Sequence, residues 1–485
     1  MTTLRLTRKI ALTLRFVGTM ATVRLFKQYI PAPFILLAVI EFCIYAVSAT
    51  LGVEVRFFGS SSDAVAQSIG AVAPKALLFA TIMLMSAISM GLYKRSFREG
   101  VSGILVRFGI SFALAMLIIS LVFYIFPDLF MGRGVLGIAL ILSFGGVVIS
   151  RSVFLAVLDQ DTFKRRVLVL GSGKRAATMA QLRRRVDHRG FFVVGFVHIK
   201  GEEDSVEKAR IIDGNLNLME LAQHYEVDEV VVAMDDRRRG FPVHELLDCK
   251  MSGIEVVDLQ TFFERETGKL RLDCMHPSWM IFSDGFGQSP LQDYIKRFFD
   301  LATSALLLVL TIPIMVFTAI AIFVEDRGPV FFRQVRVGQN GKLFHVIKFR
   351  SMGVDAEKDG KARWAQKNDS RVTRVGAFIR KVRIDELPQI FNVMRGHMSF
   401  VGPRPERPEF VERLSVTIPY FSERHRVKPG ITGWAQIRYP YGASENDAME
   451  KLQYDLYYAK NHNLFLDLTV LLQTCEVILF GQGAR

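Results

Sequence analysis

Between residues 31 and 160 the chain carries four long apolar stretches, Pro31–Val53, Lys75–Leu92, Ile104–Phe126 and Gly134–Val157. Each is near the ~20 residues a helix needs to cross ~30 Å of hydrocarbon. Backbone N–H and C=O groups find no water there, so such stretches are expected to be spanning helices. The competing reading is a set of helices buried in a soluble core. The flanks give an orientation. Arg5, Arg8, Lys9, Arg15, Arg24 and Lys27 precede the first stretch, and Lys94, Arg95 and Arg98 follow the second, which puts both segments in the cytoplasm. The first and third loops are poorer in Lys and Arg and hold Asp63 and Asp128, so they belong outside. Arg151, then Lys164, Arg165 and Arg166, return the chain to the cytoplasm. Arginines interrupt the N-terminal run and no small-residue cleavage site follows, so it does not read as a cleavable signal peptide. The composition agrees: 61 Lys and Arg against 47 Asp and Glu give +14, yet 50% of the residues are hydrophobic. A nucleic-acid binder would explain the charge alone, whereas a membrane protein with basic cytoplasmic faces explains both, and no nucleic-acid partner is expected. The 39 Phe and only 16 Pro exclude disorder and collagen-like order. Cys43, Cys249, Cys274 and Cys475 are scattered, with no CxxC and no Cys/His set, so neither a disulfide framework nor a zinc site is read.

From Arg166 to about Gln260 hydropathy drops and the pattern alternates. Val167–Leu170, Phe192–His198, Glu229–Ala233 and Gly253–Val257 read as strands with helices between them, which predicts a parallel doubly wound sheet. The turn Gly171-Ser172-Gly173-Lys174-Arg175-Ala176 resembles the dinucleotide fingerprint, where backbone N–H groups and a helix start receive phosphate. The acidic residue expected ~20 positions on is missing, since Val197-His198-Ile199-Lys200 stands there. Gly171 and Gly173 are thus a candidate nucleotide turn, with a Rossmann-like module that binds nothing as the alternative.

Phe298–Val324 is again long and apolar. A fifth crossing would put the basic C-terminal region outside the cell, where nucleotides are not supplied. Pro313 at its middle removes a ladder hydrogen bond, so the segment is expected to enter one leaflet and return. Lys296-Arg297 and Glu325-Asp326-Arg327 would then share the cytoplasmic surface.

Beyond it, Lys348, Arg350, Arg371, Arg374, Arg380, Lys381, Arg383 and Arg404 surround one acidic pair, Asp385-Glu386, which suits a substrate with two phosphates. Apolar residues at 387, 390, 391 and 394 predict one buried helix face, and Pro388 fits only a first turn, so Asp385 falls at or beside the N-cap. A capping role worth about 1 kcal/mol is the bland reading. The other is a carboxylate that attacks phosphorus to form an acyl-phosphate, with its neighbour holding Mg²⁺ against the phosphate oxygens.

Lys348-Phe349-Arg350-Ser351-Met352, Arg383-Ile384-Asp385-Glu386-Leu387-Pro388-Gln389, Met398-Ser399-Phe400-Val401-Gly402-Pro403-Arg404-Pro405 and Lys428-Pro429-Gly430-Ile431-Thr432-Gly433 together resemble the bacterial polyprenyl-phosphate sugar-1-phosphate transferases, from about Asp293 onward. The spans and Rossmann-like domain ahead of them resemble the large members of that family, which begin exopolysaccharide, capsule or O-antigen units. The resemblance implies a four-helix membrane domain (1–160), a Rossmann-like domain (161–265), a linker (266–292) and an α-rich monotopic phosphoglycosyl transferase domain (293–485) with a re-entrant helix at 298–324, broken at Pro313. It implies Asp385 as the nucleophile toward a UDP-sugar, expelling UMP, and Glu386 with Asp385 at Mg²⁺. Lys348, Arg350, Arg380, Arg383, Pro403, Arg404 and Pro405 become the substrate-binding set. Undecaprenyl phosphate would be the acceptor, and the setting the cytoplasmic face of the bacterial inner membrane, in contact with lipid and as a homodimer. Members of this domain order commonly use UDP-glucose or UDP-galactose, so glucose comes first, with galactose, an N-acetylated sugar or a nucleotide-sensing scaffold as alternatives. The family often has Ser before the helix proline; this chain has Ile312.

Several residues keep a second reading. Arg404 could instead pair with Glu406 or Glu409, Asp369 could be a turn residue or approach the metal, and Trp434, Tyr454, Tyr457 and Tyr458 could pack the domain or meet the bilayer. His425 has no catalytic case, and Arg237-Arg238-Arg239 reads as a solvated face or a lipid head-group contact. Asp235-Asp236-Arg237 is a poor DxD motif for a sugar-transferring glycosyltransferase.

Overall fold

The N-terminal apolar stretches are helical in the computed structural model: α1 (Ala32–Arg56), α2 (Val72–Ser89), α3 (Gly100–Ile125) and α4 (Arg133–Leu158). Residues described are 22–25, 28–59, 70–90, 92–93, 100–158, 164–180, 191–199, 201–212, 217–237, 240–275, 277–283, 285–287, 290–354, 371–439, 442 and 444–479. Asp369, Arg238, Arg239 and the flanking charges Arg5, Arg8, Lys9, Arg15, Lys27, Asp63, Lys94, Arg95 and Arg98 lie outside them. The chain divides into two units, Tyr29–Thr267 and Gly268–Arg485.

In the first unit α1 packs on α2 and α4, and α2 on α3, around Tyr45, Phe79, Met83 and Phe108. Two charged groups inside it are paired, as hydrocarbon demands. Glu41, fully buried, is ion-paired with Arg151, whose Nε lies 2.8 Å from Oε1, and its Oε2 accepts from Arg151 Nη2 at 2.8 Å and from the Tyr93 hydroxyl. Lys75 Nζ donates to the Phe130 carbonyl at 2.9 Å. One tie joins the segments assigned to the cytoplasmic end and the other the segments assigned outside, as alternating helices require. After α4 come β1 (Arg165–Leu170), α5 (Lys174–Ala180), β2 (Phe191–Val197), β3 (Ile211–Ile212), α6 (Leu218–His224), β4 (Glu229–Val232), α7 (Val243–Met251), β5 (Glu255–Asp258) and α8 (Leu259–Thr267). The strands form one parallel sheet in the order β3-β2-β1-β4-β5. β1 is almost wholly buried because a parallel sheet is covered on both faces. Each strand read from the sequence is present; two-residue β3 carries too little pattern to read.

The second unit holds α9 (Pro277–Phe282), α10 (Pro290–Asp326), β6 (Phe331–Val337), β7 (Leu343–Phe349), α11 (Arg374–Lys381), α12 (Gln389–Met394), β8 (Ser399–Val401), α13 (Pro408–Thr417), β9 (Gly430–Thr432), α14 (Trp434–Arg438), α15 (Glu445–Asn461) and α16 (Leu464–Leu479). β6 and β7 form an antiparallel hairpin, and β8 pairs in parallel with β9. The core gathers Val346, Ile390, Val393, Phe400, Leu456 and Tyr458. Trp434 is buried, stacked on Tyr457 and bonded to the Gly268 carbonyl at 2.8 Å, so these aromatics pack the domain.

Among the described residues five helices, α1 to α4 and α10, are long and apolar enough to cross a membrane. α10 is one helix of 37 residues with Pro313 inside it. A proline removes one N–H but leaves the neighbouring turns their own bonds, so the helix bridges the gap. One face of α10 packs Met315 and Ile322 on Phe349 and Ile379, while Val309, Phe317 and Val324 are exposed.

Candidate active site

Three segments far apart in sequence meet at one cleft of about 670 Å³ in the second unit: the end of β7, the turn Ile384–Glu386 and the loop after β8. Local packing explains the meeting. Asn392 on α12 accepts from Ile347 N–H at 3.0 Å and donates to the His345 carbonyl at 2.7 Å, which fixes the acidic turn against the strand bearing Lys348. Asn392 was not read from the sequence; a buried Asn with both amide atoms satisfied by another strand leaves no local pattern. The β8–β9 pair holds the third segment. A Cβ on Gly402 would lie 2.2 Å from the Lys428 carbonyl, and one on Gly433 2.2 Å from the Gly402 carbonyl. These glycines are needed for close backbone approach, and together they aim Pro403-Arg404-Pro405 at the cleft.

Asp385 and Glu386 lie in a 3₁₀ turn that precedes α12, whose N-cap is Pro388. The capping reading of Asp385 is therefore corrected: it stands a turn too early. Its Oδ1 is buried and accepts no hydrogen bond among the described residues. The helix face differs as well: Ile390 and Val393 are buried, while Met394 is 39% exposed, because six residues give a helix too short for a full stripe. Arg383, just before the turn, has φ +61°, a left-handed conformation uncommon outside glycine.

Glu386 Oε1 is 3.1 Å from Lys348 Nζ, 3.2 Å from Arg404 Nη2 and 3.9 Å from Arg383 Nη1. Burial alone would push its carboxyl up, but Lys348, then Arg404 and Arg383, hold it far below the usual carboxylate range. Asp385 goes the other way: burial raises it, and Glu386 adds to the rise against the pull of the same bases. Two neighbouring acids are thus driven apart, one fixed as an anion and one kept less acidic. Lys348 is pushed down by burial and held up by Glu386.

The other expected residues divide. Arg404 pairs with Glu386, and its carbonyl accepts from Arg424 at 2.9 Å. The Pro403 carbonyl accepts from Gly430 N–H at 3.0 Å and the Pro405 carbonyl from Arg336 at 3.1 Å, so the prolines shape the loop. Arg380 borders the cleft without an ion-pair partner among the described residues. Arg350 borders it too, but is buried and turned to Asp326 at the end of α10. On the far wall lies a pair with no sequence signal, Arg424 and Asp455, 2.8 Å apart and both buried. Burial pushes Asp455 up to about 6 against the pull of Arg424. His425 is pushed down to about 4 by burial and then by Arg424, in keeping with its lack of a catalytic case. Gly171 and Gly173 belong to the first unit, at the end of β1.

Residues 291–481 match the family described as bacterial sugar transferase, and residues 89–246 the family described as CoA-binding domain. The chain is 42% identical over 259 residues to the UDP-N-acetylgalactosamine-undecaprenyl-phosphate N-acetylgalactosaminephosphotransferase of Aeromonas hydrophila, covering 53% of this chain and 60% of that protein. It is 33% identical over 357 residues to the undecaprenyl-phosphate glucose phosphotransferase of Komagataeibacter xylinus, covering 69% and 64%. It is 37% identical over 325 residues to the UDP-glucose:undecaprenyl-phosphate glucose-1-phosphate transferase of Klebsiella pneumoniae, covering 64% and 67%. The chain thus spans 60 to 67% of the length of these relatives.

Proposed function

The chain belongs to the bacterial sugar transferase family, and from that premise we propose that it transfers a hexose-1-phosphate from a UDP-sugar to undecaprenyl phosphate with release of UMP. The observation that carries the reading is the acid pair: Asp385 Oδ1 is buried without a hydrogen-bond partner among the described residues, beside a Glu386 neutralised by three bases, in one cleft. In the first step a carboxylate oxygen of Asp385 bonds to the sugar-bearing phosphorus and the bond from that phosphorus to UMP breaks. In the second, a phosphate oxygen of the lipid bonds to the same phosphorus and the Asp385 oxygen leaves, which restores the carboxylate. Lys348, Arg380, Arg383 and Arg404 supply positive charge for the diphosphate.

The site also fits Mg²⁺. Among the described residues no group of three or more acids, histidines or cysteines forms a metal cage, but Mg²⁺ is commonly held by one or two carboxylates plus substrate phosphates. Glu386 meets its three bases through Oε1, and Asp385 Oδ1 is free of partners among the described residues, so both can reach the ion. When bound it would offset the charge of the phosphate oxygens.

The membrane arrangement belongs to the same reading. Near one end of α10, Lys296 pairs with Asp467, and Arg297 donates to the Val393 and Met394 carbonyls at 2.6 and 2.7 Å. Near the other, Glu325 accepts from Arg374 N–H at 2.8 Å and Asp326 pairs with Arg350. Both ends lie against one folded body, which supports a helix that returns to the cytoplasmic face of the bacterial inner membrane rather than crossing it. A homodimer is part of the proposal. Cysteines introduced at Arg297 and Asp326 are expected to resist labelling from outside intact cells; labelling of either refutes the arrangement.

Relatives named for glucose and for N-acetylgalactosamine bracket the sugar, and glucose heads the panel. The deciding assay is UMP release by purified protein with undecaprenyl phosphate, Mg²⁺ and a panel of UDP-sugars, each beside Asp385→Asn. Release with one sugar and none in the variant supports the reading. No release with any sugar from folded protein overturns it in favour of a scaffold.

A further inference from the structure

The match of residues 89–246 to a CoA-binding family raises the question of what the glycine turn of the first unit holds. In open parallel sheets a phosphate sits in the crevice where the strand order reverses, taking N–H groups from the first turn and the helix behind it. In this chain those groups are taken. Asp235, from the loop after β4, accepts from Lys174 N–H through Oδ2 and from Arg175 N–H through Oδ1, both at 2.8 Å. Glu202, from the loop after β2, accepts from Asp235 N–H at 2.7 Å and from Ser172 N–H at 3.3 Å. The Ser172 hydroxyl donates to Asp204, which also meets His198 Nδ1 at 2.8 Å. A Cβ on Gly173 would lie 2.2 Å from Asp235 Oδ2. The glycine is thus required to admit the chain's own carboxylate, and a glycine shared with the fingerprint is no sign of phosphate here.

We infer that Asp235 and Glu202 form an internal latch that fills the phosphate position, and that this domain takes neither CoA nor a dinucleotide through the turn. An incoming phosphate would have to break both 2.8 Å bonds of Asp235 and then sit among Glu202, Asp204 and Asp235. Like charges at such range repel, and although Lys174 and Arg175 stand in the same turn, it is their backbone N–H groups that Asp235 occupies. The latch instead ties together the loops after β1, β2 and β4 at the carboxyl edge of the sheet. The inference does not depend on the transferase reading.

The test is calorimetric titration of the full-length protein with CoA, with NAD⁺ and with inorganic pyrophosphate, with saturating UDP present so that the cleft of the second unit does not contribute. Wild type is expected to give no binding below a Kd of about 1 mM. The Asp235→Ala/Glu202→Gln double variant, its fold checked by circular dichroism and by its thermal melt, is expected to bind pyrophosphate at least about tenfold more tightly than wild type, a gain of ~1.4 kcal/mol. Sub-millimolar CoA or NAD⁺ binding by wild type overturns the inference. So does a folded double variant with no gain, since the carboxylates would then not be what excludes the anion.

Discussion

Arg383 is where backbone strain and electrostatics bear on the same carboxylate. Its φ of +61° puts an L-residue in the left-handed region, at a cost of about 1–2 kcal/mol that Asn tolerates better than Arg. Its guanidinium stands 3.9 Å from Glu386 Oε1 with the side chain 37% exposed, and it is one of the bases that pull the Asp385 carboxyl down. At that exposure solvent screens the interaction, and about 0.3–1 kcal/mol is a fair worth for the charge. The sign follows from the role: removing a positive neighbour raises the Asp385 pKa, and the carboxylate must be ionised to attack phosphorus. In Arg383→Asn the acid limb of UMP release therefore moves to higher pH. Strain relief and loss of the exposed pair are similar in size, so the melting temperature stays within about 4 °C. The assay is single-turnover UMP release without lipid acceptor, which isolates the first step from ionisation of the lipid phosphate. Arg383→Lys, which keeps the charge, should leave the limb in place. A limb that moves to lower pH in Arg383→Asn, or that shifts as much in Arg383→Lys, would refute the assigned electrostatics.

Three further outcomes are expected. Asp385→Asn abolishes UMP release yet melts within about 2 °C of wild type, because Oδ1 makes no hydrogen bond that the fold would lose; residual turnover in a clean preparation counts against the nucleophile. Gly402→Ala forces a methyl to 2.2 Å from the Lys428 carbonyl, so it should destabilise by about 1–3 kcal/mol and raise the KM for the UDP-sugar as Arg404 is displaced; an unchanged melt and KM would mean the β8–β9 contact is not tight. Asp455, raised to about 6 from 3.8, holds its proton more tightly in the folded chain, so its contribution favours the fold at low pH and is lost as pH rises through about 6. Across that window wild type should lose about 3 kcal/mol that Asp455→Asn does not, read as the pH dependence of their difference in denaturant stability; a constant difference would contradict the buried pair.

Much of the architecture was legible because it is periodic. Long apolar runs give α1 to α4 and α10, and alternating apolar segments give the strands of the parallel sheet. The basic cluster around Asp385-Glu386 was legible as composition in a short stretch. Pairing was harder to read. Lys348 and Glu386 are 38 positions apart, Arg404 and Glu386 18, and Asp235 and Lys174 61, and no local rule links such positions. Arg350 stands in the same short motif as Lys348, yet it turns to Asp326 while Lys348 turns to Glu386. Pro313 was legible from a local rule as a special position, and it stands inside α10.

The chain's order of residues therefore determined by itself which segments are helical, which are strands, and which short stretch concentrates charge, since these follow from the periodicity of apolar side chains and the geometry of the backbone. The tertiary structure alone decided which charges meet. It left Asp385 Oδ1 without a hydrogen bond among the described residues, surrounded Glu386 with bases, and filled the glycine turn with Asp235, because the energy of a charge depends on its burial and on neighbours that only folding brings within a few ångströms.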